Sequence, residues 1–177
     1  GAVRDLLLHK IHHAPWPGIK DLDLVIEGSA MEVAYALQRH LTPDQLSKFN
    51  IHSSYNTVEM KIDGISIDLA SARTETYQDP GQNPEVVNAD LEEDLARRDF
   101  TINAIALELP NWNVIDPQGG RDALKAGQLE FIHQESVKED PTRIIRAARY
   151  SARLNFHLSN KSLNQIHSTI EEWPWEW

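Results

Sequence analysis

Residues 58–73, VEMKIDGISIDLASAR, leave the chain little choice but a β-hairpin. Asp63-Gly64 is a strong signal for a two-residue type I′ turn, which needs positive φ at both positions. A two-residue loop fixes the register, so Ile62 pairs with Ile65, Met60 with Ile67 and Glu59 with Asp68. Met60, Ile62, Ile65 and Ile67 then share an apolar face, while Glu59, Lys61, Ser66 and Asp68 share a polar one. The Glu59–Asp68 pair sets like charges opposite each other, which destabilises a sheet unless a cation lies near.

A second strand comes earlier, in KDLDLVIEG. Leu22, Leu24 and Ile26 alternate with Asp21, Asp23 and Glu27, a period of two. Ser29 and Glu32 form a capping box, and the spacing after it predicts a helix from about Ala30 to His40. Residues 74–90, TETYQDPGQNPEVVNAD, hold two Pro and one Gly without a period and read as a long loop. Asp90 with Glu93 caps a short helix over LEEDLARRD. FTINAIALEL is ambiguous between helix and strand, VIDPQGG is a strand end and turn, and LEFI is a short strand. Asp140 reads as an N-cap with Pro141 at the first helical position, opening a helix to about Leu154. Ser159 caps another that ends near EEWPWEW. The order is mixed α/β, then all-helical, with a break near residues 133–140 and no internal repeat. That divides the chain into domains at 1–135 and 136–177.

With 177 residues, 41% hydrophobic and 25% charged, the chain suits one domain, or one domain and part of another. The absence of Cys excludes disulfides and thiolate metal sites and fits a reducing cytoplasm. No apolar run approaches the ~18 residues of a membrane span. A formal net charge of -10 argues against a whole-surface nucleic-acid binder, because phosphate contacts need Lys or Arg. The opening GAVRDLLL, without Met, reads as the start of a fragment or a processed chain.

Asp21 and Asp23 point to one face of their strand, with Cα atoms ~6.6 Å apart. Carboxylates so placed reach one divalent ion from two sides, or bracket two ions ~3.5–4 Å apart. Mg²⁺ suits such a site, since it takes one or two carboxylates and leaves room for substrate phosphates and water. Asp68, on the polar face of the hairpin, is a candidate third acid. The plainer alternative is the wet face of a half-buried sheet. Gly1 before Arg4 suits a phosphate, because Gly lets backbone approach and Arg binds bidentately; a solvated helix start fits as well. RRDFTINA places Arg97, Arg98 and Asp99 together, followed by Thr101 and Asn103; two guanidiniums beside an acid suit a triphosphate and ribose, or a surface ion pair.

EDPTRIIRAARYSAR is the most informative helix. Asp140 and Arg143 lie three apart on one face and set an acceptor beside a donor fork. Cytosine and adenine offer an amino donor next to a ring-nitrogen acceptor, and guanine and uracil reverse that order. The pair is therefore suited to selecting C and A. Against this, Asp140 is also the best N-cap, and Arg143, Arg146, Arg149 and Arg153 equally describe a solvated basic stripe.

Taken in order, GAVRD, DLDLVIEG, IDLASAR, RRDFTINAIAL, IDPQGGRDAL and EDPTRIIRAARYSARLNF resemble the class II tRNA nucleotidyltransferase and bacterial poly(A) polymerase family, from Gly1 to about Phe156. The resemblance implies an α/β head domain of the polymerase-beta nucleotidyltransferase type, its first strand missing, and then the start of a helical neck. It matches Asp21 and Asp23 to metal-binding acids and Asp68 to a further acid. Gly1 and Arg4 match the triphosphate motif, and Arg98 and Asp99 the ribose motif. Asp140 and Arg143 match the protein template that pairs with the incoming base, and Asn103 and Arg146 join these as candidate nucleotide-binding residues. The implied activity is untemplated addition of CCA, CC or A to tRNA 3′ ends from CTP and ATP with Mg²⁺, or of poly(A) to RNA. The implied setting is cytoplasmic. The loop at 74–90 falls in the region that the resemblance links to the switch from C to A, which weighs against an A-only enzyme. It also implies that most of the neck, and the body and tail that hold much of the tRNA, lie outside this chain, so that Trp173, Trp175 and Trp177 would meet absent partners. Two readings from other classes stand beside it. A metal-dependent glycosyltransferase also uses D-x-D but leaves RRDFT and EDPTR unexplained, and a non-catalytic module would bind nucleotide without turnover.

Overall fold

The predicted hairpin closes as the sequence demands. Asp63 and Gly64 take φ of 48° and 82°, and Ile62 faces Ile65, Met60 faces Ile67 and Glu59 faces Asp68. The computed structural model describes residues 1–16, 18–79, 81 and 83–173. It comprises two compact units, one built from Gly1–Thr74 and Val86–Asp94 and the other from Glu75–Glu85 and Leu95–Trp177.

In the first unit, α1 (Ala2–His12) precedes β1 (Asp21–Ile26) and α2 (Ala30–His40). Ser29 caps α2, its hydroxyl accepting from the Glu32 backbone N–H at 3.2 Å. Then come β2 (Leu46–His52), β3 (Thr57–Ile62) and β4 (Ile65–Ser71). The sheet order is β1-β4-β3-β2, with β1 parallel to β4 and the other pairs antiparallel. Ala30 and Ala34 of α2 pack with Val58, Met60 and Leu69 into a core that Leu24, Ile26, Phe49 and Ile67 flank. The helix thus covers the apolar face of the sheet. The other face carries the acids.

The stretch at 74–90 is not one structureless loop. Its ends pair as β5 (Arg73–Thr76) and β6 (Glu85–Asn88), leaving a shorter connection between them. Polar, β-branched strand ends without strict alternation hid this ladder. The capping box at Asp90 and Glu93 is complete in both directions, at 2.9 and 3.2 Å, and starts α3 (Leu91–Ala96).

In the second unit, FTINAIALEL resolves into a 3-10 turn at Thr101–Asn103 and then β7 (Ala106–Leu107), which pairs with β8 (Val114–Ile115). There follow α4 (Gly120–Ala126), β9 (Gln128–Leu129), α5 (Ser136–Glu139), α6 (Thr142–Leu154), β10 (His157–Leu158) and α7 (Asn160–Glu172). LEFI contributes only its first residue to β9, while Phe131 makes a lone bridge to Phe100. The last third is not wholly helical, since β10 runs parallel to β9. Pro141, not Asp140, is the N-cap of α6. The Asp140 carboxylate still accepts from the Thr142 N–H at 3.0 Å, one residue further out than a standard cap. Ser159 caps α7 through the Ser162 N–H at 3.1 Å. Phe100 and Phe131 stack at 4.9 Å in a core with Leu95, Ile102, Leu124, Leu129 and Val137. Trp173 follows α7, and Trp175 and Trp177 lie outside the described residues.

Candidate active site

The chemistry-bearing residues gather in two clusters, one in each unit. In the first, strand periodicity puts Asp21 and Asp23 on the exposed side of β1. The parallel register sets Asp23 beside Asp68, and the hairpin sets Asp68 beside Glu59. A row of three carboxylates therefore crosses β1, β4 and β3. At its far end Lys48 of β2 pairs with Glu59, which supplies the cation that the like-charge pair requires. Asp68 gains less from it: burial, and then the charges of Asp23, Glu59 and Asp21, outweigh Lys48 and push its carboxyl above the usual range.

Gly1 lies against this row, and a Cβ there would stand 3.4 Å from Asp23 Oδ2. Arg4 is not solvated. It is 3% exposed, with its Nη2 2.7 Å from Asp5 Oδ1.

Among the described residues no group of three or more His, Asp or Glu side chains closes into a metal site. The row nonetheless fits a hard divalent cation that is completed by substrate. It offers oxygen donors only, on an exposed face, and the raised Asp68 carboxyl reports burial and negative charge that Lys48 only partly offsets.

In the second cluster, Asp99 is 7% exposed. Its Oδ1 accepts from the Phe100 N–H at 2.8 Å and from Asn103 Nδ2 at 2.9 Å. Its Oδ2 accepts from Arg146, with Nη2 at 2.6 Å. Asp99, Asn103 and Arg146 are thus one network, and Arg98 joins it through Nη1, which donates to the Asn103 carbonyl at 3.2 Å. Arg143 is not part of a solvated stripe. It is 5% exposed, its Nη2 donates to the Arg97 carbonyl at 3.0 Å, and its Nε lies 3.9 Å from Asp140 Oδ2. Asp140 divides its carboxylate between Thr142, on Oδ1, and Arg143, on Oδ2.

Around this pair lie Arg97, which the sequence marks, and side chains that it does not. Arg97 pairs with Glu75 at 2.8 Å, and Glu75 accepts from the Tyr77 hydroxyl at 3.0 Å. Burial and then the Glu75 charge push the Tyr77 phenol up to about 12. His133 and Glu139 stand 3.3 Å apart beside Arg143. No helix among the described residues is long and apolar enough to cross a membrane.

Residues 1–130 match the family model described as the poly(A) polymerase head domain. Among curated relatives, an A-adding tRNA nucleotidyltransferase of Aquifex aeolicus is 41% identical, over 96% of this chain and 20% of the relative. A CC-adding tRNA nucleotidyltransferase of Deinococcus radiodurans is 37% identical, over 96% of this chain and 44% of the relative. A solved CCA-adding enzyme in an apo form superposes with a TM-score of 0.84 at 37% identity, over 97% of this chain and 39% of the other. A tRNA nucleotidyltransferase bound to a primer tRNA and an incoming ATP analogue gives 0.78 at 36% identity, over 97% and 45%. The chain spans less than half the length of each of these relatives. The fold is that of the polymerase-beta-type nucleotidyltransferases.

Proposed function

The chain belongs to the poly(A) polymerase head-domain family, and we propose that it carries the nucleotide-handling part of a cytoplasmic, template-independent tRNA nucleotidyltransferase. The reaction adds C, A or both to a tRNA 3′ end from CTP and ATP and releases pyrophosphate. The observation that carries this reading is the row Asp23–Asp68–Glu59 with Asp21 beside it. Its far end is paired with Lys48, and Asp21 and Asp23 stand at the other end on the exposed side of β1.

Asp21 and Asp23 would hold Mg²⁺, with Asp68 alongside. Bound there, Mg²⁺ supplies charge neutralisation for the triphosphate and polarises the RNA 3′-hydroxyl. The chain's own residues position the reactants. Gly1 leaves room for a phosphate next to Asp23, and Arg4, whose buried guanidinium is held by Asp5, adds positive charge beside Gly1. Arg98, Asp99 and Asn103 serve the ribose, and Arg146 fixes the Asp99 carboxylate. Asp140 accepts from the exocyclic amine of C or A, while Arg143 donates to the adjacent ring nitrogen. Guanine and uracil present a donor where Arg143 also donates and an acceptor where Asp140 also accepts, so both contacts fail. We keep the head at residues 1–135 and the start of the neck at 136–177, a division supported by a family match that ends at residue 130.

Poly(A) synthesis is the second reading, favoured by the description of the matched family. Both are tested on the full-length protein with Mg²⁺, a tRNA lacking its 3′ end and one labelled nucleotide at a time. Limited incorporation from CTP, ATP or both supports tRNA end addition, and a long ladder from ATP supports poly(A) synthesis. Label from GTP or UTP, from a UDP-sugar, or from nothing would overturn the assignment.

A further inference from the structure

The base-selecting pair has a neighbour whose chemistry remains to be explained. His133 is half-buried. Its Nε2 lies 3.5 Å from Arg143 Nη1 and 3.3 Å from Glu139 Oε2. Its backbone carbonyl accepts from Gln165 Nε2 of α7 at 2.9 Å, which anchors the residue. One ring nitrogen therefore faces a cation on one side and an anion on the other, and it cannot bond both. With a lone pair it accepts from Arg143. With a proton it donates to Glu139, and a charged ring also repels the guanidinium.

The groups that face the ring decide between these states. They are Arg143 from α6, Glu139 from α5 and Glu135 just before that helix, while the Gln165 amide of α7 meets the backbone carbonyl and not the ring. Burial, and then Arg143, lower the pKa of His133 below the ordinary histidine range, with Glu135 opposing. Burial likewise raises the Glu139 carboxyl. Near neutral pH the ring is uncharged. The remaining anchors of Arg143, the Arg97 carbonyl at 3.0 Å and Asp140 at 3.9 Å, restrain Nη2 and Nε. Nη1 is the arm that His133 holds.

We propose that His133 is a positioning residue for Arg143: its Nε2 lone pair fixes one arm of the guanidinium so that Arg143 and Asp140 present a single acceptor–donor pattern, and protonation of the ring releases that arm. This rests on the reading of Asp140 and Arg143 as the base-selecting pair. The choice of C and A over G and U then weakens as pH falls.

The test uses the full-length protein and compares kcat/KM for CTP and ATP with that for GTP and UTP across pH. In the unmodified protein the ratio should fall about tenfold as the pH drops from neutrality through the lowered pKa of His133, the worth of one hydrogen bond to a charged group. His133→Gln keeps a neutral acceptor and should select normally at every pH. His133→Leu has no acceptor and should show the low ratio throughout. Nitrogen NMR of the ring should show Nε2 unprotonated at neutral pH. If His133→Leu selects like the unmodified protein while Asp140→Ala relaxes the choice, the positioning role is overturned and the base-selecting pair survives. If Asp140→Ala also leaves the choice unchanged, the pair itself falls and this role with it. Should His133→Leu not fold, the pH profiles of the unmodified protein and His133→Gln decide, and parallel profiles overturn the proposal.

Discussion

At Gly120 a single added methyl group has nowhere to go. A Cβ would stand 2.2 Å from the Thr101 carbonyl oxygen and 2.7 Å from Ile105 Cγ1. The first of these is backbone and cannot swing aside. Gly120→Ala should therefore destabilise the fold by about 3 kcal/mol or more, read as a lower urea midpoint. Arg146 makes a gentler case. It closes the Asp99 network at 2.6 Å but is itself 46% exposed, while Asp99 keeps the Phe100 N–H and Asn103 as donors. Arg146→Ala should cost about 1–2 kcal/mol, less than breaking a fully buried pair. Arg146→Lys, a point charge in place of a fork, should recover only part of it in the same denaturation experiment. Residues were legible where local periodicity speaks, as with Asp21 and Asp23 on one strand face. They were illegible where the partner is remote. Arg146 meets Asp99 across a separation of 47 residues, and Arg143 meets the Arg97 carbonyl across 46, so periodicity left a solvated stripe of arginines as open as a base-selecting pair, although the first member is buried.

Among the elements, α4 shows how a short motif serves the fold. Asp116 accepts from the Gly120 N–H at 2.7 Å and the Arg121 N–H at 2.9 Å, one oxygen each. Both are first-turn donors that the helix cannot satisfy itself. Asp116→Ala should cost about 1–2 kcal/mol and Asp116→Asn roughly half of that, measured by thermal unfolding. Helix starts of this kind are written locally, and so are two-residue turns. That is why α2, the hairpin, α3 and the end of α6 were readable from the sequence. The missed strands share a different cause. β2 pairs with β3 through a register shift between Leu46 and Lys48 that breaks its alternation. β10 is two residues long and exists because β9 lies beside it. Non-local pairing, not propensity, makes these strands. Asp140 is the informative intermediate. Its capping chemistry was legible, but the Thr142 hydroxyl bonds the same oxygen that the backbone uses. The second oxygen is thereby left for Arg143.

At the scale of the whole molecule the governing quantity is charge. The chain carries a formal net charge of -10, and in the first unit the row Asp23–Asp68–Glu59 sets part of that excess side by side on one sheet face. The sign of its effect on stability follows from Asp68. Its carboxyl titrates above the usual range because burial and three neighbouring acids disfavour the anion. The folded state therefore binds this proton more tightly than the unfolded chain. The stability it contributes is complete below the unfolded pKa and is lost as pH rises through the folded one. At neutral pH the row is a destabilising feature that a bound divalent cation would relieve. Because Asp68 is largely exposed, the intrinsic penalty is small, a few tenths of a kcal/mol at most. The cation adds its own binding energy, about 1 kcal/mol at a concentration fivefold above its dissociation constant. Mg²⁺ should thus raise the unfolding midpoint at neutral pH beyond what NaCl of equal ionic strength achieves. The gain should shrink as pH drops into the carboxylate range and vanish in Asp21→Asn/Asp23→Asn. Asp68→Asn should raise the midpoint slightly without Mg²⁺ and reduce the increment with it. Calorimetry of the three proteins across pH measures all of this. An equal response to Mg²⁺ and to NaCl would show that the row is a solvated sheet face and that phosphate charge has to be met elsewhere.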